Sequence, residues 1–67
     1  MRMNLKLFRV KQKMSQAEFA DAVGYSRSQY ANIEGGVFDG TMKFWNALQK
    51  RFNIPDCDMW ELMIKDN

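Results

Sequence analysis

The chain has 67 residues, with ten Lys and Arg against eight Asp and Glu for a formal charge of +2, one cysteine and no histidine. One cysteine excludes an intrachain disulfide, and without histidine neither a zinc-ligand set nor an imidazole-based nucleophile–base pair can be assembled. No apolar leader and no membrane-length apolar run is present, so one small domain over residues 1–67, reduced and cytoplasmic, is expected.

The charge is unevenly placed. Through Arg51, nine Lys and Arg stand against four Asp and Glu, whereas from Phe52 onward one lysine stands against four acids. A basic body suits contact with nucleic acid, and the acidic end suits another task.

Met1 to Met3 read as a short arm with Arg2 its only charge, and Asn4 as the cap of a first helix over Leu5 to Gln12. Leu5 and Phe8 make the apolar face of that helix, joined one turn later by Arg9 and Gln12. Lys6, Lys11 and Lys13 put positive charge around the rest.

Ser15 to Glu34 carries one helix-opening signal twice, eleven residues apart. Ser15 is followed three residues later by Glu18, and Ser26 three residues later by Gln29. Each is a capping box: the hydroxyl takes a free backbone N–H and the long polar side chain reaches back. Met14 before the first cap can staple to Phe19, and Tyr25 before the second to Tyr30. Gly24 stops the first of these helices, because glycine enters the left-handed conformation cheaply. The stretch therefore predicts a helix over 16–23, a turn over 24–26 and a helix over 27–34. Phe19, Ala20 and Val23 line one face of the first, and Tyr30, Ile33 and Glu34 one face of the second.

At these residues the sequence resembles the Cro/C1-type helix-turn-helix family of phage repressors and bacterial regulators. The matching run is Met14 to Ala20, Val23-Gly24, Ser26 to Ser28, and Ile33-Glu34 with Gly36; Gln16, Ala20, Gly24 and Glu34 at their mutual spacings are its specific part. The resemblance extends back to Leu5, Phe8 and Arg9, and forward more weakly to Leu48, Phe52, Ile54 and Leu62. It implies an all-α, five-helix, lambda-repressor-like DNA-binding domain with the helix-turn-helix at helices 2 and 3. It also implies an ion pair between Arg9 and Glu34 beneath the motif. An Arg fork satisfies a carboxylate bidentately, and neither charge could be buried alone. Lys13 stands where family members commonly carry glycine, which leaves the end of the first helix open, although a cation there is favourable.

Gly35 and Gly36 close the third helix, and Val37 to Gly40 form a loop with a turn at Asp39-Gly40. Many relatives have cations here that touch phosphates. This chain has none, and Val37 and Phe38 are free to pack back on the core. Thr41 caps a fourth helix to about Phe52, with Met42, Trp45, Leu48 and Phe52 on one stripe and Phe44 beside it. After Asn53, Pro55-Asp56 opens a fifth helix to about Ile64, with Asp58 and Glu61 in its early turns. Met59, Trp60, Leu62, Met63 and Ile64 make it apolar around much of its circumference, so it either closes the core or covers a second surface.

No glycine-rich phosphate loop, calcium loop or other catalytic or cofactor constellation is present, and no metal, cofactor, membrane or small-molecule substrate is expected. The resemblance implies a sequence-specific regulator of double-stranded DNA, with transcriptional repression as its task. In such a motif the second helix enters the major groove and the first lies across the backbone. Arg27, Ser28 and Asn32 point outward as the candidate base readers, with Gln29 a lesser one. Gln16, at a helix N-terminus, is the first candidate for phosphate, followed by Ser26, Lys11 and Lys43. A homodimer is expected, with contacts from Met59, Trp60 and Met63. The alternative is a protein-interaction module, an antitoxin or adaptor, built on the same fold.

Overall fold

In the computed structural model, which describes residues 1–66, the chain forms five helices. They are α1 (Met3–Lys11), α2 (Gln16–Val23), α3 (Arg27–Glu34), α4 (Met42–Phe52) and α5 (Asp56–Met63). No strand occurs among the described residues.

Both central helices open on reciprocal caps. The Glu18 amide donates to Ser15 Oγ at 3.1 Å while the Ser15 amide donates to Glu18 Oε1 at 2.8 Å. Gly24 adopts φ 81°, and the Tyr25 amide reaches back to the Ala20 carbonyl at 2.9 Å, closing α2. At the end of α3 the two glycines divide the task. Gly35 stays right-handed, whereas Gly36 turns left-handed at φ 82° and lets the Val37 amide reach the Asn32 carbonyl. A Cβ on Gly36 would also lie only 2.9 Å from the Met1 nitrogen.

The start of α1 departs from expectation. Residues 1–3 are not a free arm: Arg2 is only 3% exposed, and Asn4 lies inside the helix instead of capping it. The first free amide, that of Met3, donates to the Asp66 carboxylate at 3.0 Å, a cap supplied from the far end of the described chain. The helix ends at Lys11, and Lys13 takes φ 59°, the conformation that glycine adopts most cheaply.

The core is built from Leu5 of α1, Phe19, Ala20 and Val23 of α2, Tyr30 and Ile33 of α3, and Phe44, Trp45 and Leu48 of α4. Ile54, Met59 and Leu62 complete it from the C-terminal side. Phe19 stacks on Phe52 with ring centroids 4.9 Å apart, and Phe8 meets both rings edge-on. The inward stripe of α4 therefore starts at Phe44; Met42, expected on it, is 67% exposed. Tyr25 does its packing against Phe44, edge-on at 5.2 Å. Val37 and Phe38 do not fold back on the core but stand 70% and 53% exposed.

Arg2 ties the elements together. Its backbone amide donates to the Glu34 carbonyl, and its guanidinium donates to the carbonyls of Ile33, Phe38, Asp39 and Met63. The same group lies over the Trp45 ring, 5.3 Å from its centroid. One buried cation thus serves the C-terminal carbonyls of α3, the α3–α4 loop and the end of α5.

Candidate nucleic-acid interface

The inward face of α3 buries Tyr30, Ile33 and Glu34, and this fixes which side the helix offers to a ligand. Glu34 is the anchor. Arg9 Nε donates to its Oε2 at 2.8 Å, the Tyr30 hydroxyl to the same oxygen at 2.6 Å, and Gln16 Nε2 to Oε1 at 3.0 Å. Arg9 also holds the Met14 carbonyl at 2.8 Å, bracing the loop between α1 and α2.

Burial alone would raise the pKa of the Glu34 carboxyl, but the donors from Arg9, Tyr30 and Gln16 together hold it below its ordinary value. Burial, and then donation to Glu34, push the Tyr30 hydroxyl well above its usual range. The hydrogen bond to Glu34 raises the Arg9 guanidinium, which stays a cation. The outcome is a charged, fully partnered cluster under the helix pair. Tyr30 is the member that periodicity alone assigns to packing; its place four residues before Glu34 on one helix face was the available signal.

On the opposite side, Arg27, Ser28 and Gln29 are exposed and Asn32 is half-buried one turn further on. Ser28 and Asn32 stand one turn apart on the outer face, with Arg27 and Gln29 on its two sides. Gln29 is partly committed, because its Oε1 accepts from the Ser26 amide at 2.9 Å and its own amide donates to Ser26 Oγ at 3.1 Å. Gln29 therefore keeps its side-chain N–H groups, and Ser26 its O–H, as donors not used by the cap. Gln16 has likewise used one N–H on Glu34 and has one left to offer.

The two lysines lie elsewhere. Lys11 lines a cleft of about 400 Å³ between α1 and α5, together with Leu7, Phe52, Pro55, Asp58 and Glu61, and no lining residue belongs to α3. Lys43 is exposed in the first turn of α4, two residues beyond Thr41. Thr41 lines a smaller, mostly apolar cleft of about 290 Å³, shared with Tyr25, Gln29, Ile33, Phe38 and Phe44. That cleft brings the α3–α4 loop beside the flank of α3 that carries Gln29 and Ile33, a neighbourhood that no local sequence signal marks.

At the other end of the molecule, Met59, the first of the three residues expected at a dimer contact, is mostly buried in the core and reaches the surface only at the floor of the groove between α4 and α5. Trp60 is 72% exposed, and Met63 is half-buried beside it. Together with Met42 they line a groove of about 380 Å³ between α4 and α5. Among the described residues no group of His, Cys, Asp or Glu is placed to hold a metal ion, and no helix is long and apolar enough to cross a membrane.

A protein-family model described as helix-turn-helix matches residues 5–55, from within α1 to Pro55, the residue just before α5. No curated protein and no solved structure matches the chain.

Proposed function

The chain belongs to the Cro/C1-type helix-turn-helix family of DNA-binding regulators, and from that premise we propose that it is a sequence-specific repressor of phage, prophage or bacterial origin. α3 is the reading helix in the major groove. Arg27 and Asn32 suit bidentate recognition of guanine and adenine, Ser28 suits the closest approach, and Gln29 contributes an N–H. Gln16 and Ser26 meet phosphate at the helix N-termini, with Lys43 at the flank and Lys11 the outlying member.

The observation that supports this reading most is the way α3 is held. Its N-terminus is locked by the Ser26–Gln29 box, its inner face by the Glu34 cluster and its C-terminal carbonyls by Arg2, while Arg27 and Ser28 stand exposed and Asn32 half-exposed on its other side. A helix fixed at both ends with an uncommitted polar face is a preorganised reader.

Two copies are proposed to act on one operator, joined through Trp60 and Met63, because one motif spans only about half a turn of duplex. The test is selection of bound duplexes from a random pool, followed by titration at several salt concentrations. Enrichment of a two-fold related site is expected, with affinity falling by roughly 10²–10⁴ from low to high salt. Failure to bind any duplex at low salt would give the fold to protein interaction instead, a reading that exposed Trp60 favours.

A further inference from the structure

We propose that Val37 and Phe38 form a fixed apolar prong that reads thymine 5-methyl groups beside the base pair met by Asn32. The inference rests on the DNA-binding reading above and adds a second reading element to α3.

The loop is rigid where a surface loop is ordinarily free. The amides of Val37 and Phe38 both donate to the Asn32 carbonyl, at 2.9 and 3.2 Å. Arg2 donates to the Phe38 carbonyl at 2.8 Å and to the Asp39 carbonyl at 3.1 Å, and Trp45 Nε1 reaches the same Asp39 carbonyl at 3.2 Å. Gly36 and Gly40, both left-handed, mark the two ends of the loop. The backbone is held from three directions, yet the two side chains at its tip lie in water.

Placement connects that tip to the reader. Both amides bond to the carbonyl of Asn32 itself, so the tip folds against the last turn of α3. Phe38 lines one cleft with Gln29 and Ile33, which puts the ring against the flank of α3 that carries Gln29. A duplex engaged by Gln29 and Asn32 therefore comes up against Phe38 and Val37.

The chemistry selects the ligand. Neither side chain has a donor or a charge, so neither can serve phosphate. Within a major groove the apolar group available to them is the thymine methyl, which distinguishes T from C at that edge. Asp39 next to the tip would repel phosphate, but Lys65 Nζ lies 2.7 Å from its carboxylate and Arg2 Nη2 3.9 Å away. The tip approaches DNA as a neutral, apolar surface.

The test takes the operator selected by the wild-type protein and replaces its thymines one at a time with deoxyuridine, which removes only the methyl group. For the wild type, one or two thymines in each half-site should each be worth about three- to fivefold in affinity. Phe38→Ala or Val37→Ala should abolish that difference, with Phe38→Leu restoring part of it, and melting curves should show all three variants folded. Equal uracil penalties in wild type and variants, or no penalty at any thymine, would overturn the prong and leave the loop tip to a protein partner. Should the wild type select no duplex at all, the DNA-binding reading falls and the prong falls with it.

Discussion

Arg2 Nη1 lies 2.6 Å from the carbonyl oxygen of Ile33, so the C-terminal end of α3 is closed by a side chain from the beginning of the chain. Helix ends leave carbonyls unpaired, and here four of the acceptors in this region share one guanidinium. Arg2→Ala should strand several of them at once, at roughly 3 kcal/mol or more. For a chain of this length that is a large part of total stability, and the melting temperature should fall by more than about 12 °C. Arg2→Lys keeps the charge but not the fork and should lie between. An unchanged melting curve for Arg2→Ala would show that water replaces the guanidinium without cost.

Glu34 sets the acid limit of the fold. Its pKa is held below the ordinary value in the folded state, so the unfolded chain binds its proton more readily. The stability it contributes is therefore complete above the unfolded pKa, near 4.5, and is lost as pH falls through the folded value. Urea melts from pH 7 to pH 3 should show a plateau down to about pH 5 and then a decline. Glu34→Gln should be less stable at neutral pH and flatter across the acid range. Arg9→Ala should cost about 3–5 kcal/mol by stranding the carboxylate, more than Tyr30→Phe, which removes one donor. An acid decline of the same size in Glu34→Gln would move the effect to other carboxylates.

The helix pair was legible because its signals are local. Ser15 with Glu18, Ser26 with Gln29, and Gly24 act within one turn of where they stand, so spacing alone places them. What escaped local reading comes from distance or from a helix end. Asp66 caps α1 and Arg2 caps α3, partners far apart in the chain that no window connects. On α4, Phe44 and Trp45 are both buried, and Met42, which shares the phase of Trp45 and Leu48, stands outside because it lies at the first position of the helix, beyond the part the core covers. The outer face of α3 followed from periodicity, whereas the tip of the α3–α4 loop depends on Arg2 and was invisible for the same reason.

Lys13 is a local departure with a measurable cost. Its φ of 59° is disfavoured for a residue with a Cβ by roughly 1–2 kcal/mol, of which glycine would recover part after its larger loss of chain entropy. Lys13→Gly should therefore raise stability by about 0.5–1 kcal/mol. A drop in the melting temperature would mean that the lysine's charge near the end of α1 outweighs the strain.

Trp60 separates assembly from folding. Because the ring is mostly in water, Trp60→Ala should leave the melting temperature of the monomer within a few degrees of wild type. If the ring joins two copies, the variant should bind operator with lower cooperativity and sediment on it as one protein per half-site. Full two-copy binding by Trp60→Ala would place the contact elsewhere.

Arg27 offers the sharpest division between reading and holding. It is exposed at the first position of α3, the end that reaches deepest into a groove, and has no intramolecular partner among the described hydrogen bonds and ion pairs. A free guanidinium there can span O6 and N7 of a guanine, or it can rest on phosphate. Gln29, two residues on, supplies an internal contrast because half of its carboxamide is already spent on Ser26. Arg27→Ala should cost about 1–3 kcal/mol on the selected operator and erase preference at one base pair while leaving the others intact. Gln29→Ala should lose about 0.5–1 kcal/mol of stability with its cap, and change base preference less. Titrating wild type and both variants against every single-base change of the operator decides between the two roles. Parallel losses across the panel for Arg27→Ala, with the salt slope shallower by about one unit, would make it a phosphate contact and leave Asn32 and Ser28 to carry specificity.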